Sequence, residues 1–133
     1  MITLDDYFGK WTGKDEHIQN AVILLDAVNK MHDALVAKGV TFPYNQKTNS
    51  LISGEAFGGF RPQSCTIGAP QSAHKLGMAI DIYDPDNKID EAIMSDITIL
   101  QQHGLYIEHP DATKGWSHWS IKKPRSGNRI FYP

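Results

Sequence analysis

Between Glu16 and Ala37 apolar side chains recur every three or four positions, with Ile18, Ala21, Val22, Leu25, Val28, His32, Leu35 and Val36 in line. That spacing predicts a long amphipathic helix, with His32 at the edge of its buried stripe. Gly39, just after Lys38, is the expected C-terminal cap. Before it, Thr3 followed by Asp5 and Asp6 predicts a capped short helix running to about Phe8. A later stripe of Ile89, Ala92, Ile93, Ile97 and Leu100 predicts one helix up to about His103, stopped by Gly104.

Elsewhere the period falls to two. Met78, Ile80 and Ile82 alternate with Ala79, Asp81 and Tyr83, which predicts a strand with Asp81 on the face away from the main apolar layer. Leu105 to Glu108 reads as a strand in which Tyr106 and Glu108 share the polar face. Trp116 to Ile121 is another, with Trp116, His118 and Ser120 on one side. Ser50 to Ser53 is a candidate short strand, and the tail after the basic turn at Lys122–Arg125 is a candidate edge strand. Pro43 and the polar residues after it make Val40–Phe42 the start of a loop. Gln63–Gln71 and His109–Gly115 are loops by composition, and Asp84–Asn87 is a turn leading into a helix. Its acidic residues lack the glycine and terminal glutamate of a calcium loop.

Two main helices and a few short strands of mixed order predict an α+β domain over residues 1–133, with helices packed on a small, mainly antiparallel sheet. The hydrophobic fraction of 41% and the charged fraction of 21% are ordinary for a folded chain of this length. A net charge of −2 supplies no electrostatic case for nucleic acid. Cys65 is alone, so no internal disulfide forms. No apolar run approaches a membrane span, and Met1–Asp6 lacks the basic-then-apolar pattern of a signal peptide. The expectation is a chain made in the cytoplasm, without membrane insertion and monomeric.

The chemistry concentrates in Ser72-Ala73-His74-Lys75-Leu76-Gly77-Met78-Ala79-Ile80-Asp81. His74 lies on the turn feeding the first strand, and Asp81 sits on that strand's polar face. Gly77 between them permits a backbone conformation that a side chain would obstruct. An imidazole and a carboxylate delivered this way are candidate ligands for one divalent metal.

The pattern Ser72-x-His74-x-x-Gly77-x-Ala79-x-Asp81 resembles the signature of the zinc D-Ala-D-Ala carboxypeptidase and L,D-endopeptidase family, which cuts peptidoglycan peptides. The resemblance extends upstream to Gly59-Phe60-Arg61-Pro62, which is similar to the family's arginine-bearing strand end, and downstream to Trp116-Ser117-His118. It implies the hedgehog/DD-peptidase fold, a Zn²⁺ ion held by His74, Asp81 and His118, and a peptidoglycan peptide as substrate. Arg61 would meet the developing oxyanion or a substrate carboxylate. Ser72 would orient a ligand or the loop and, with Trp116, border the substrate. The likeness is closest to phage-type members, which implies action on the cell wall either by phage-assisted release or as a virion component.

The chain departs from the family at the general base. Many relatives carry Glu three positions before the last zinc histidine, or His two before it; here those positions are Gly115 and Trp116. Glu108, on the polar face of its strand, is the first candidate, with Asp111 and His109 as alternatives. The same departure keeps a second reading open: a wall-binding or phage structural module that retains the fold without turnover. A purely structural zinc domain fits poorly with one cysteine and a carboxylate ligand.

Overall fold

The computed structural model describes residues 1–69 and 72–133; Pro70 and Gln71, the end of the loop read from Gln63, lie outside the described residues. Helices α1 (Leu4–Phe8) and α2 (Asp15–Ala37) open the chain. Thr3 caps α1 reciprocally: its hydroxyl accepts from Asp6 N at 3.1 Å, and its own N–H donates to Asp6 Oδ2 at 3.0 Å. Gly39, at φ 92°, turns the chain out of α2 in a conformation that disfavours other residues.

The face α2 buries is rotated from the expected stripe. Ala21, Leu25, Val28 and Leu35 are buried as expected, and Leu24 and Met31 join them. Ile18, Val22 and Val36 instead face solvent. Both stripes satisfy helical periodicity, so packing against α1 and the later helix α4 decides between them. His32 is half-buried at the edge, its ring 4.5 Å from that of Phe42.

The helix expected from Ile89 to His103 is two helices, α3 (Lys88–Ser95) and α4 (Thr98–His103). The break falls at Asp96, whose extended backbone (φ −151°) ends α3 while its carboxylate accepts from Thr98 Oγ. Asp and Thr side chains compete for hydrogen bonds in this way and favour helix ends over helix interiors. At the other end of α3, Asp84 supplies the cap: its two carboxylate oxygens accept from Ile89 N and Asp90 N, each at 3.0 Å.

Strands β1 (Ala79–Tyr83), β2 (Tyr106–Glu108), β3 (Trp116–Ser120) and β4 (Ile130–Phe131) form one mixed sheet in the order β1-β3-β2-β4. β3 pairs antiparallel with both β1 and β2, while β4 runs parallel to β2. The core face carries Ile80, Ile82, Ile107 and Trp119, all buried against the helices. The opposite face carries Asp81, His118 and Glu108.

Ser50–Ser53 is not a strand of the sheet. It makes isolated bridges, Ser50 with Asn45 and Ile52 with Ile82. Even so, it covers the free edge of β1: Tyr83 N donates to Leu51 O and Ser53 N donates to Asp81 O, each at 2.8 Å. An edge left bare would invite pairing with another chain.

Candidate metal centre

Strand pairing alone brings two of the expected ligands together. Asp81 on β1 and His118 on β3 are direct cross-strand partners, so their side chains leave the sheet on the same face. The β2–β3 register pairs Ile107 with Trp119, so Glu108, one position on, falls on the same face as His118. On its other side Glu108 pairs with Phe131 of β4. Asp81, His118, Glu108 and Phe131 therefore share one face of the sheet.

His74 arrives from a different element. It lies on a single 3₁₀ turn, Ala73–Leu76, that ends at Gly77 with φ 76°. A Cβ on Gly77 would stand 2.6 Å from the backbone oxygen of His17, so both its conformation and its closeness to α2 require glycine. Asp81 is held at its backbone too, its N–H donating to Gly58 O at 2.7 Å.

The three side chains converge. Asp81 Oδ1 lies 3.2 Å from His74 Nε2 and 2.9 Å from His118 Nδ1. One ligand atom from each residue falls within 4.8 Å of the others. His74 is 3% exposed, and Asp81 and His118 are 9% exposed each, so the group is sheltered yet reachable. His74 Nδ1 stands 2.8 Å from the carbonyl oxygen of Gly59, which can only accept. That contact assigns the ring proton to Nδ1 and, in the neutral ring, aims the Nε2 lone pair at a carboxylate. Two acceptors facing each other require a cation between them, either a proton or a metal ion. A backbone carbonyl on the far nitrogen is also the usual way a metal-binding histidine is oriented. The donor set fits a metal ion.

Burial alone would raise the Asp81 carboxyl, but His74 and His118 overcome it and hold the group well below the usual carboxylate range. Burial disfavours a charged His118, yet its hydrogen bond to Asp81 and the nearby negative charges of Asp81 and Glu108 raise its proton affinity. Arg61 closes the group from one side, with Nη2 3.4 Å from Asp81 Oδ2 and Nε donating to Phe57 O at 2.8 Å.

Behind β3 a second polar cluster fixes the strand. Ser117, on the core face, donates to Asp90 Oδ1 at 2.5 Å and accepts from Trp119 Nε1 at 2.7 Å. Thr113 Oγ donates to the other Asp90 oxygen at 3.1 Å. Burial pushes the Asp90 carboxyl up to about 6, with the Asp84 charge adding to the rise against these hydrogen bonds. Its role is structural: it anchors the residue before His118 to α3.

A cleft of about 730 Å³ opens over the site, and Arg61, Ser72, Trp116 and Glu108 line it together with the three ligand candidates. His109 and Asp111 are not among its lining residues. His109 instead stacks on Tyr132 at 4.6 Å and accepts from Asp111 N at 3.1 Å. Of the three candidate bases, Glu108 alone shares the cleft.

Sequence reasoning missed two parts. Gly59 serves through its carbonyl, although the glycine pair before Phe60 does signal a close backbone approach. Phe131, whose ring centroid is 6.0 Å from that of His118, joins the wall through a parallel pairing too short for periodicity to reveal.

The place of Gly59 yields a test. An added Cβ would stand 2.1 Å from the backbone oxygen of Tyr7, which itself accepts from Phe60 N at 3.0 Å. Gly59→Ala is expected to destabilise the fold by ~1–3 kcal/mol, the usual cost of overpacking, and to weaken metal binding by shifting the His74 support. Thermal melts and metal titration check both effects; an unchanged melt would mean that α1 yields freely.

Comparison with known proteins assigns no family: no protein-family model, no curated protein and no solved structure matches the chain. Among the described residues no helix is long and apolar enough to cross a membrane.

Proposed function

We propose that this protein is a zinc-dependent peptidase that hydrolyses a peptide bond in bacterial peptidoglycan. The observation that carries the proposal is the convergence of His74, Asp81 and His118, within 4.8 Å of one another, in a cleft that also holds Arg61 and Glu108. Two imidazoles and one carboxylate are a donor set of catalytic zinc, which keeps a further position open, whereas structural zinc sites are closed and cysteine-rich. Zinc bound there would act as a Lewis acid that polarises the scissile carbonyl and makes water acidic enough to attack at neutral pH. The resemblance of the Ser72–Asp81 pattern and of Trp116-Ser117-His118 to the zinc D-Ala-D-Ala carboxypeptidases and L,D-endopeptidases supplies the substrate class and the phage-type, wall-directed setting.

The chain's own groups divide the remaining work. Glu108 takes the proton from the attacking water and passes it to the leaving amine. Arg61 offers a fixed, permanently charged donor to the carbonyl oxygen as it gains negative charge. Gly59 O and the Gly77 turn hold His74 in place. Ser72 and Trp116 border the peptide.

Arg61→Lys keeps a positive charge but loses the planar fork and the Nε contact to Phe57 O. Turnover is expected to fall by roughly 10²–10³, as for loss of one oxyanion donor, while zinc stays bound. Steady-state kinetics beside metal analysis check this, and wild-type rates in Arg61→Ala would remove the arginine from the mechanism.

The decisive experiment is metal content by mass spectrometry joined to product analysis on purified muropeptides. One zinc per chain with a new amine terminus supports the peptidase. Zinc, or wall binding, without product would favour the second reading, a non-catalytic wall-binding or phage structural module, for which Gly115 and Trp116 at the positions of the relatives' base are the specific argument.

A further inference from the structure

Lys75 follows His74 on the short 3₁₀ turn and is 4% exposed, although lysine is rarely buried. Its ammonium donates to a neutral partner, the carbonyl oxygen of Cys65, at 2.7 Å. Burying an ammonium against a neutral acceptor costs free energy that a methionine of similar length would not. What such a contact supplies instead is one fixed arrangement of the groups it joins.

The group it fixes is the loop that leaves Arg61. Gly68 comes back beside the guanidinium: a Cβ there would stand 3.0 Å from Arg61 Nη1 and 3.5 Å from Ser72 Oγ. Gly68 and Ala69 border the cleft together with Arg61 and Ser72. The loop buries little of itself, since Gln63, Ser64 and Thr66 to Ala69 are all exposed. Two of its bonds are local, Cys65 N to Pro62 O at 2.9 Å and Ser72 N to Ala69 O at 3.0 Å. A segment with few buried apolar contacts opens at low cost. The Lys75 bond, spanning ten positions from a buried turn, sets where the middle of the loop rests.

The same turn holds Arg61 at its backbone, with Arg61 N donating to His74 O at 3.1 Å. At the side chain, Nε donates to Phe57 O and Nη2 reaches Asp81, so Nη1 is the nitrogen that Gly68 approaches. We propose that Lys75 is a positioning residue for Arg61: by pinning Cys65 it keeps Gly68 against the guanidinium and the fork turned to the cleft. The kinetic consequence rests on the peptidase reading, whereas the placement of Arg61 does not.

The test is Lys75→Met in the full chain, which keeps the side-chain length and removes the donors. Two readouts need no turnover. Hydrogen exchange of the amides between Ser64 and Ala69 is expected to quicken about tenfold, with α2 and the sheet unchanged. The Arg61 Nε–H resonance of a ¹⁵N-labelled sample, sharp while it donates to Phe57 O, should broaden. Lys75→Arg, which restores a donor, should recover both signals, and zinc content should match the wild type in each variant. On muropeptides, Lys75→Met should lower kcat about tenfold with KM little changed, and should cost nothing further in Arg61→Lys, because both act through one guanidinium. Lys75→Gln, shorter and uncharged, is the second variant should methionine disturb the fold. A lysine that only stabilised the fold would quicken exchange throughout the molecule, leave the Arg61 signal sharp and add its loss to that of Arg61→Lys. An Arg61 signal that stays sharp, or loop exchange that does not change, overturns the proposal. If the peptidase reading alone fails, no variant cuts a bond but the loop and the Arg61 signal still respond; if the positioning alone fails, turnover remains and neither signal moves.

Discussion

His118→Ala is expected to bring zinc content from about one ion per chain to nearly none, with His74→Ala doing the same. Each substitution leaves one nitrogen and one carboxylate where three donors converged within 4.8 Å, too few to hold the metal against solvent. The pH dependence has a defined sign. A ligand must shed its proton to bind, and Asp81 raises the proton affinity of His118. Zinc affinity should therefore weaken as pH falls through the histidine range, because protons compete for the same lone pairs. His118 is buried, so His118→Gln, which better preserves volume, serves as a second variant should alanine disturb the fold. Zinc at full stoichiometry in folded His74 and His118 variants would exclude this ligand set.

Much of the centre was legible because strand geometry is periodic. Once Asp81 and His118 were each assigned to the polar face of a strand, antiparallel pairing of those strands was enough to set them side by side. His74 was legible as a turn residue ahead of Gly77, but its orientation depends on the Gly59 carbonyl, 15 positions away, and no local pattern encodes that contact. The break between α3 and α4 was hidden because Ile97, Ile99 and Leu100 sustain an apolar pattern through it, while Asp96 and Thr98 decide it by hydrogen bonding. The rotation of α2 was hidden for another reason. Ile18-Val22 and Leu24-Met31 are both apolar and both helical in spacing, so the identity of the buried face rests on what α1 and α4 present to it. The place of the basic tail turn at the cleft was hidden as well, because charge in a sequence does not reveal which cleft it borders.

Glu108→Gln is expected to keep zinc and lose roughly 10²–10⁴ in rate, the range typical of general acid–base catalysis. The substitution preserves shape and removes basicity. Three features support the assignment. Glu108 pairs with Phe131 and lies on the face that bears Asp81 and His118. It lines the cleft, which His109 and Asp111 do not. Its charge also reaches His118, adding to that ring's raised proton affinity. The substitution leaves the three ligand candidates in place, so metal analysis separates a loss of rate from a loss of zinc. A glutamate that merely ended a strand would leave the rate unchanged. Unchanged turnover with zinc confirmed would remove Glu108 from the reaction. The base would then have to come from His109 or Asp111, and one of them would have to leave the His109–Tyr132 stack or its loop to reach the cleft.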